Sequence, residues 1–380
     1  MKKKILFVSN IARGRMGSFS RASILAAKEL GWEFHTAANF NQSTIEQQKA
    51  DEKKYGIQIH HINFFRNPLH PANIKAYKEL ITLLKKENFD VIHCNTPVGG
   101  VYGRLAAKKC GVKKVIYQAH GFHFHKNAPK KNWFIYYPIE RFLAKFTDAL
   151  VTINQEDYEK AQTFSLRSKG KNYYVPGVGI DLSVYEDVKN NREKIKKELG
   201  LKTTDTVLIS MGDLIPRKNY NTAIEAIAEC NDPNIHYLIC GQGPELEKLQ
   251  KLASERMVSE QVHFLGHRTD VKELLKSSDI FLFTTLQEGM PRSMMEAMAS
   301  GLPCIASKIR GNVDLLEDGK GGYLVGIEDS KEIAKKINYL ANRNKLREQM
   351  GNANLEQIQK FDVKEVKKII EKIYLEVVKP

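Results

Sequence analysis

The chain has 380 residues, 42% of them hydrophobic and 27% charged, and carries a formal net charge of +15. These are ordinary globular values without low-complexity stretches, and no run reaches the ~18 uninterrupted apolar residues of a membrane-spanning helix. One hydrophobic core stops growing below this length, so two domains of ~150 to 200 residues are expected, and the positive charge implies an anionic partner, whether nucleic acid, lipid or phosphorylated substrate.

MKKKILFVSN has a basic start and a short apolar run. It lacks the length and cleavage site of a signal peptide, so ILFVS is expected to be a first strand. ARGRMGSFSR follows, with Gly14 and Gly17 between that strand and a first helix. Short β-branched runs then alternate with amphipathic segments: SRASILAAKELG, DVIHCN, GGVYGRLAAKKCG, KVIYQAH, DALVTIN and QEDYEKAQ. Apolar strands interleaved with helices predict βαβ units and a parallel sheet over 1–180. Between 176 and 205 the texture changes, from PGVGIDLSVYED to the charged helix NNREKIKKELG and the polar turn KTTD. A second series, from TVLISMG through HYLICGQG and DIFLFTT to PCIAS, predicts another doubly wound domain over 181–360. The last stretch, VKEVKKIIEKIYLEVV, has apolar residues at helical spacing. A closing helix within 361–380 that packs back on the first domain is expected, with hinges near PGVGID and after Phe361. The five cysteines, Cys94, Cys110, Cys230, Cys240 and Cys304, lack CxxC spacing and read as buried, reduced thiols of a cytosolic protein.

The most informative segment is TTLQEGMPRSMMEAMASGLPC, residues 284–304. It sets Glu288 and Glu296 eight positions apart, with a Gly-Met-Pro turn between them and a helix carrying the second. Free N–H groups and the dipole at a helix N-terminus attract a diphosphate. Carboxylates on either side can accept hydrogen bonds from the hydroxyls of a sugar and a ribose. The pattern points to sugar transfer.

These motifs resemble the retaining glycosyltransferases of the GT-B fold, the large family numbered four, over essentially the whole chain. HCNTPVGGVYGRLAAKK (93–109) and RGNVDLLEDGKGGYLV (310–325) are similar to a bacterial subgroup that builds capsule, exopolysaccharide and other lipid-linked glycans. The resemblance implies an α/β fold of two Rossmann-like doubly wound domains facing each other across a cleft, a natural site for a nucleotide and a second substrate. It implies that Glu288 approaches the donor sugar, that the Gly289, Met290 and Pro291 turn lies against sugar and diphosphate, and that Glu296 binds the ribose. In SMGDLIPRKN (210–219), Lys218 falls on the family's diphosphate-binding lysine, while Asp213 stands where the family has arginine. Either Arg217 replaces that cation or the diphosphate relies on Lys218 and backbone donors, adjacent Arg and Lys being also an ordinary surface pair. Gly241 and Gly243 would permit positive φ and close backbone approach to the nucleotide. Arg268 would contact the base or secure its loop, and plain helix-capping turns are the alternative for both segments. The family's glycine loop near the donor phosphates would include Gly17. Here the loop is unusually basic, with Arg13, Arg15 and Arg21 either receiving an acceptor phosphate or standing as solvated charges.

In YQAHGFHFHKNAPKKNWFIYYPIERFLAKF, His120 follows a strand and precedes a glycine, and the resemblance makes it the catalytic candidate of the first domain. His123 and His125 beside it could suggest a metal, but there is no Asp-x-Asp, and neither metal nor resident cofactor is expected. Gly99 and Gly100 would shape the acceptor side. Lys130, Lys131, Arg141 and Lys145, mixed with Trp133, Phe134, Tyr136, Tyr137, Phe142 and Phe146, suit an anionic bilayer interface. The alternative is a core-facing helix with a charged outer face. The expected partners are a nucleotide sugar (UDP before GDP), a lipid-linked glycan acceptor and an anionic membrane surface on the cytoplasmic side, with no nucleic acid. An epimerase or hydrolase on the same fold is the rival enzyme, and a basic nucleic-acid-binding protein the rival from another class.

Overall fold

The computed structural model describes residues 2–13, 18–68 and 70–379. The chain divides into two compact units, Met1–Gly179 with Val363–Pro380, and Ile180–Asp362.

The first unit holds a seven-stranded sheet of β1 (Lys4–Arg13), β2 (Glu33–Gln42), β3 (Gln58–His61), β4 (Val91–Asn95), β5 (Lys114–Ala119), β6 (Ala149–Thr152) and β7 (Lys171–Tyr174). The order is β3-β2-β1-β4-β5-β6-β7, and every pair is parallel. Parallel strands need crossovers, and helices supply them on both faces, so central strands such as β4 are buried at every residue. One crossover, Pro97–Cys110, lies unusually close to the sheet because of its glycines. A Cβ on Gly99 would stand 2.7 Å from the Val8 carbonyl oxygen, one on Gly100 would stand 2.4 Å from the Tyr117 ring, and one on Gly103 would stand 2.5 Å from Cys94 Sγ.

The final helix, Val363–Val378, belongs to this unit. Its buried stripe of Val366, Ile370, Ile373, Tyr374 and Val377 packs beside helix Ser18–Glu29. Tyr374 stacks on Trp32 with ring centroids 5.4 Å apart, and its hydroxyl meets His93 Nδ1 at 2.8 Å. The chain leaves the unit at Gly179, whose φ of +82° and close approach to Val363 Cα (2.8 Å from a Cβ placed there) admit only glycine comfortably.

The second unit holds β8 (Thr206–Met211), β9 (Ile235–Cys240), β10 (Val262–Gly266), β11 (Ile280–Phe283), β12 (Cys304–Ser307) and β13 (Gly322–Val325), in the order β10-β9-β8-β11-β12-β13, again all parallel. Both faces of the sheet are covered, one core lying under Met294, Met295 and Met298 and the other under Ile224, Ile227, Ile333 and Ile337. All five cysteines are free thiols, and Cys110 alone among them is not buried. Among the described residues no helix is long and apolar enough to cross a membrane.

Burial, and after it the charge of His120, pushes the His93 imidazole down from 6.5 to about 3. The unfolded chain therefore takes up a proton on this group near pH 6.5 while the folded chain refuses it, so the contribution is complete above 6.5 and is lost as pH falls. Urea unfolding should show about 3 kcal/mol less stability at pH 4.5 than at pH 7 from His93 alone. His93→Phe should flatten that slope. Tyr374→Phe, which strips the hydroxyl from His93 Nδ1, should cost ~1 to 3 kcal/mol at pH 7.

Candidate functional site

Strand order reverses between β8 and β11, and the loops leaving their carboxyl ends part there, the usual position for a ligand in a doubly wound sheet. The loop after β8 carries Asp213, Arg217 and Lys218, and the loop after β11 carries Thr285 and Glu288. Backbone and side chains stitch the two loops together. Leu286 N–H donates to the Arg217 carbonyl at 2.9 Å, Asn219 Nδ2 to the Thr284 carbonyl at 3.2 Å, and Thr284 Oγ1 back to the Asn219 carbonyl at 2.8 Å. On that base, Glu288 Oε1 accepts from Lys218 Nζ at 2.8 Å, Arg217 Nη1 at 2.8 Å and Thr285 Oγ1 at 3.0 Å. Lys218 and Glu288 are largely buried, whereas Arg217 is 41% exposed. Two cations share one carboxylate, which holds them in fixed geometry at the switch point. Asp213 is exposed beside them.

The turn after Glu288 leads into helix Arg292–Ala299 with Pro291 as its N-cap. Pro291 has no N–H, so its contribution is conformational and not a hydrogen bond to a ligand. Met290, partly buried, packs its side chain against the core. Behind the turn, buried Arg310 donates from Nε to the Glu288 carbonyl at 3.1 Å. Gly311 sits so close that a Cβ would meet the Gly289 carbonyl oxygen at 2.6 Å. Glu296, one turn into the helix, accepts from Arg292 Nε at 2.8 Å. Tyr185 lies against Glu296, and burial, then that carboxylate, pushes its phenol up. Arg310 opens the segment RGNVDLLEDGKGGYLV and Tyr185 lies in PGVGIDLSVYED, but nothing in either segment singles out the residue that reaches Glu288 or Glu296.

Other candidates have structural employment. Gly241 and Gly243 are not at positive φ. Their missing side chains make room for the neighbouring loop, since a Cβ would stand 1.9 Å from the Gly212 oxygen or 2.3 Å from the Leu214 oxygen. Arg268 grips Asp270 through Nε (2.8 Å) and Nη2 (2.6 Å) and reaches Glu198 at 3.3 Å, which secures its loop. Gly99 and Gly100 are buried residues of their helix and let it pack closely on Val8 and Tyr117.

In the first unit the order reverses between β1 and β4. Gly14, Arg15 and Gly17 lie outside the described residues, as does the side chain of Arg13. His120, just past β5, sets Nε2 3.0 Å from Asn95 Oδ1 at the end of β4, and burial pushes its imidazole down to about 4. His123 stacks obliquely on Tyr136 and His125 is buried. Among the described residues no group of three or more His, Cys, Asp or Glu side chains is placed to hold a metal.

Helix Lys130–Ala144 divides its aromatics between two faces. Trp133, Tyr136 and Tyr137 pack inward on the core, and Trp133 Nε1 donates to the His125 carbonyl at 3.2 Å. Trp133 is therefore an anchor of the fold and not a membrane-facing residue. Phe134 (81% exposed), Ile135 and Phe142 point outward, with Lys130, Lys131, Arg141 and Lys145 also exposed.

Comparison with known proteins agrees with this architecture. Residues 191–357 match the family model described as glycosyl transferases group 1, and residues 4–154 match that described as glycosyl transferase 4-like. EpsD of Bacillus subtilis (strain 168), assigned by name as a glycosyltransferase, is 33% identical over 92% of this chain and 91% of its own. An Escherichia coli protein named UDP-Gal:alpha-D-GlcNAc-diphosphoundecaprenol alpha-1,3-galactosyltransferase is 34% identical over 67% of this chain and 68% of its own. The solved structure of Anabaena Alr3699/HepE in complex with UDP and glucose superposes with a TM-score of 0.80 at 20% identity, covering 98% of this chain and 99% of that one. The chain belongs to the group 1 glycosyltransferases, the family numbered four, and has the GT-B fold.

Proposed function

We propose that this glycosyltransferase moves a sugar from a UDP-sugar to a hydroxyl of a polyprenyl-diphosphate-linked glycan, with retention at the anomeric carbon and without a metal ion. The observation that carries the reading is the Lys218, Arg217 and Glu288 cluster at the β8/β11 switch point, immediately before the helix that bears Glu296. A departing diphosphate gains negative charge as the sugar acquires oxocarbenium character. Cations already fixed in place stabilise that charge without reorganising. Lys218 and Arg217 are held by Glu288, and phosphate oxygens can take up their remaining donors. N–H groups at the start of helix Arg292–Ala299 add the dipole contribution. Glu296, steadied by Arg292, is suited to a ribose diol, and Glu288 to a sugar hydroxyl.

The donor and acceptor named for the E. coli relative, UDP-Gal and a diphosphoundecaprenol-linked sugar, support UDP and a lipid-linked acceptor here. The acceptor belongs in this reading to the first unit, whose helix Lys130–Ala144 offers exposed aromatics ringed by cations to an anionic bilayer. His120 is that unit's proposed catalytic residue. No side chain is arranged as a covalent nucleophile in this reading, and the acceptor hydroxyl attacks the face the diphosphate leaves, giving it its proton.

A panel of UDP- and GDP-sugars, with a polyprenyl-diphosphate-linked sugar and with or without EDTA, tests the proposal. Acceptor-dependent, EDTA-insensitive release of UDP is expected. It should vanish in Glu296→Ala and fall ~100- to 1000-fold in kcat for Lys218→Ala. Turnover without acceptor would instead indicate an epimerase or hydrolase. For the membrane contact, sedimentation with phosphatidylglycerol vesicles should weaken about fivefold for each of Lys130→Ala and Lys131→Ala, and further in Phe134→Ser with Phe142→Ser. Binding unchanged by all four substitutions would place the contact elsewhere.

A further inference from the structure

His120 is held by a partner whose own orientation is fixed. Asn95, almost fully buried, sends Nδ2 to the His93 carbonyl oxygen at 3.3 Å. A carbonyl only accepts, so the amide of Asn95 is turned with Oδ1 toward His120, 3.0 Å from Nε2. That oxygen too only accepts, and Nε2 must therefore carry the imidazole proton. Nδ1 is left with a lone pair, buried and without a partner among the described residues. Buried acceptors of this kind are uncommon and ask for an explanation.

The backbone beside Asn95 is strained to the same end. Thr96 sits at φ 63°, ψ 160°, a region essentially reserved for glycine. A β-branched residue stays there only because its surroundings over-determine it. Thr96 Oγ1 donates to the Asn95 carbonyl and accepts from Asn10 N–H at 3.2 Å, so the ends of β1 and β4 are tied together at the unit's switch point. Pro97 follows at the helix start and excludes the helical alternative for Thr96. Phe19, more than half exposed, stands edge-on to the imidazole at 5.1 Å between ring centroids.

We infer that Asn95, with Thr96 fixing its backbone, is a positioning residue that locks His120 in the Nε2–H tautomer, so that Nδ1 accepts a hydrogen bond from a sugar hydroxyl as Phe19 moves aside. His120 then receives a hydroxyl proton's bond and has none to give from Nδ1. The part played in transfer rests on the function proposed above, whereas the tautomer does not.

Long-range ¹⁵N–¹H correlation spectra of ¹⁵N-histidine-labelled protein at pH 7, with the His120 signal identified through His120→Gln, test the inference. His120 should show protonated Nε2 and bare Nδ1. Asn95→Ala should release it into a mixture of tautomers and lower kcat on the order of 100-fold, with the donor KM within about twofold if positioning alone is lost. Asn95→Asp, which keeps an acceptor facing Nε2, should restore the tautomer and raise the protonation midpoint of the ring. Should Asn95→Ala not fold, the wild-type and Asn95→Asp spectra still decide. A wild-type His120 protonated on Nδ1, or a tautomer indifferent to Asn95→Ala, would overturn the lock. UDP-sugar alone and lipid-linked acceptor alone are then added, and whichever shifts Nδ1 supplies the hydroxyl. Calorimetrically measured binding of both, with Nδ1 unmoved, would sink the hydroxyl assignment. The expected tautomer in a protein that transfers no sugar would defeat the transfer reading and leave the lock intact.

Discussion

A parallel sheet wound outward from a central pair of strands leaves one edge where neighbouring loops turn away from each other, and the second unit concentrates its charge at that edge. Lys218 and Glu288 are 70 residues apart in sequence. They meet because β8 and β11 are adjacent and point the same way, so both following loops emerge together. The pair could not be held by side chains alone, since for a largely buried lysine and glutamate the cost of desolvation offsets most of their attraction. What makes the arrangement definite is the backbone beneath it, where the Arg217 carbonyl receives Leu286 N–H and Thr285 Oγ1, and Asn219 is clamped by Thr284. The charged groups are placed by main-chain bonds, so their order does not depend on their own attraction.

Glycine does comparable work wherever loops or helices must approach closely. Gly241 and Gly243 let the β9 loop lie on the β8 loop, and Gly311 lets the loop after β12 support the Glu288 turn. A methyl at any of these would push against backbone oxygen, which has nowhere to go inside a sheet edge. The displacement would fall on the loop that carries the cations. A substitution there would thus affect the donor side without touching a ligand.

The fold was legible because periodicity is local: apolar runs such as TVLISM and HYLIC announce buried parallel strands, and the stripe of VKEVKKIIEKIYLEVV announces a helix with one inward face. The neighbourhood of Glu288 was legible for the same reason, both halves of it being short motifs at strand ends. The reasons behind Gly99, Gly100, Gly241 and Gly243 were not. A glycine in a sequence signals close approach, but which surface approaches is a tertiary fact, and here it is protein backbone or the Tyr117 ring. Asn95, Arg310 and Tyr185 lie in segments whose pattern is visible, but the partner each one meets, His120, Glu288 or Glu296, comes from another segment of the chain and is not written beside it. Between the bilayer-facing and core-facing readings of helix Lys130–Ala144 the sequence does not choose for Trp133, because an aromatic run at the start of an amphipathic helix does not say which rings face in, and the structure turns Trp133 inward.

That partition is settled by one polar cluster inside the first unit. Arg104 is fully buried and donates from Nε to the Gly100 carbonyl at 2.7 Å and from Nη2 to Glu140 at 2.7 Å, with its guanidinium 3.8 Å above the Tyr117 ring. The Tyr117 hydroxyl donates to the other Glu140 oxygen at 3.1 Å. A buried ion pair contributes little net stability, because desolvation offsets the attraction, yet removing one partner leaves an uncompensated charge and costs ~3 to 5 kcal/mol. Rotation of helix Lys130–Ala144 about its axis would remove Glu140 from Arg104 and incur that cost, whereas exchange of one aromatic face for another would cost far less in a hydrophobic sense. Glu140 therefore fixes the rotation, and with it the outward direction of Phe134, Ile135 and Phe142. The apolar surface that the helix displays to solvent is a consequence of where its one inward carboxylate must point.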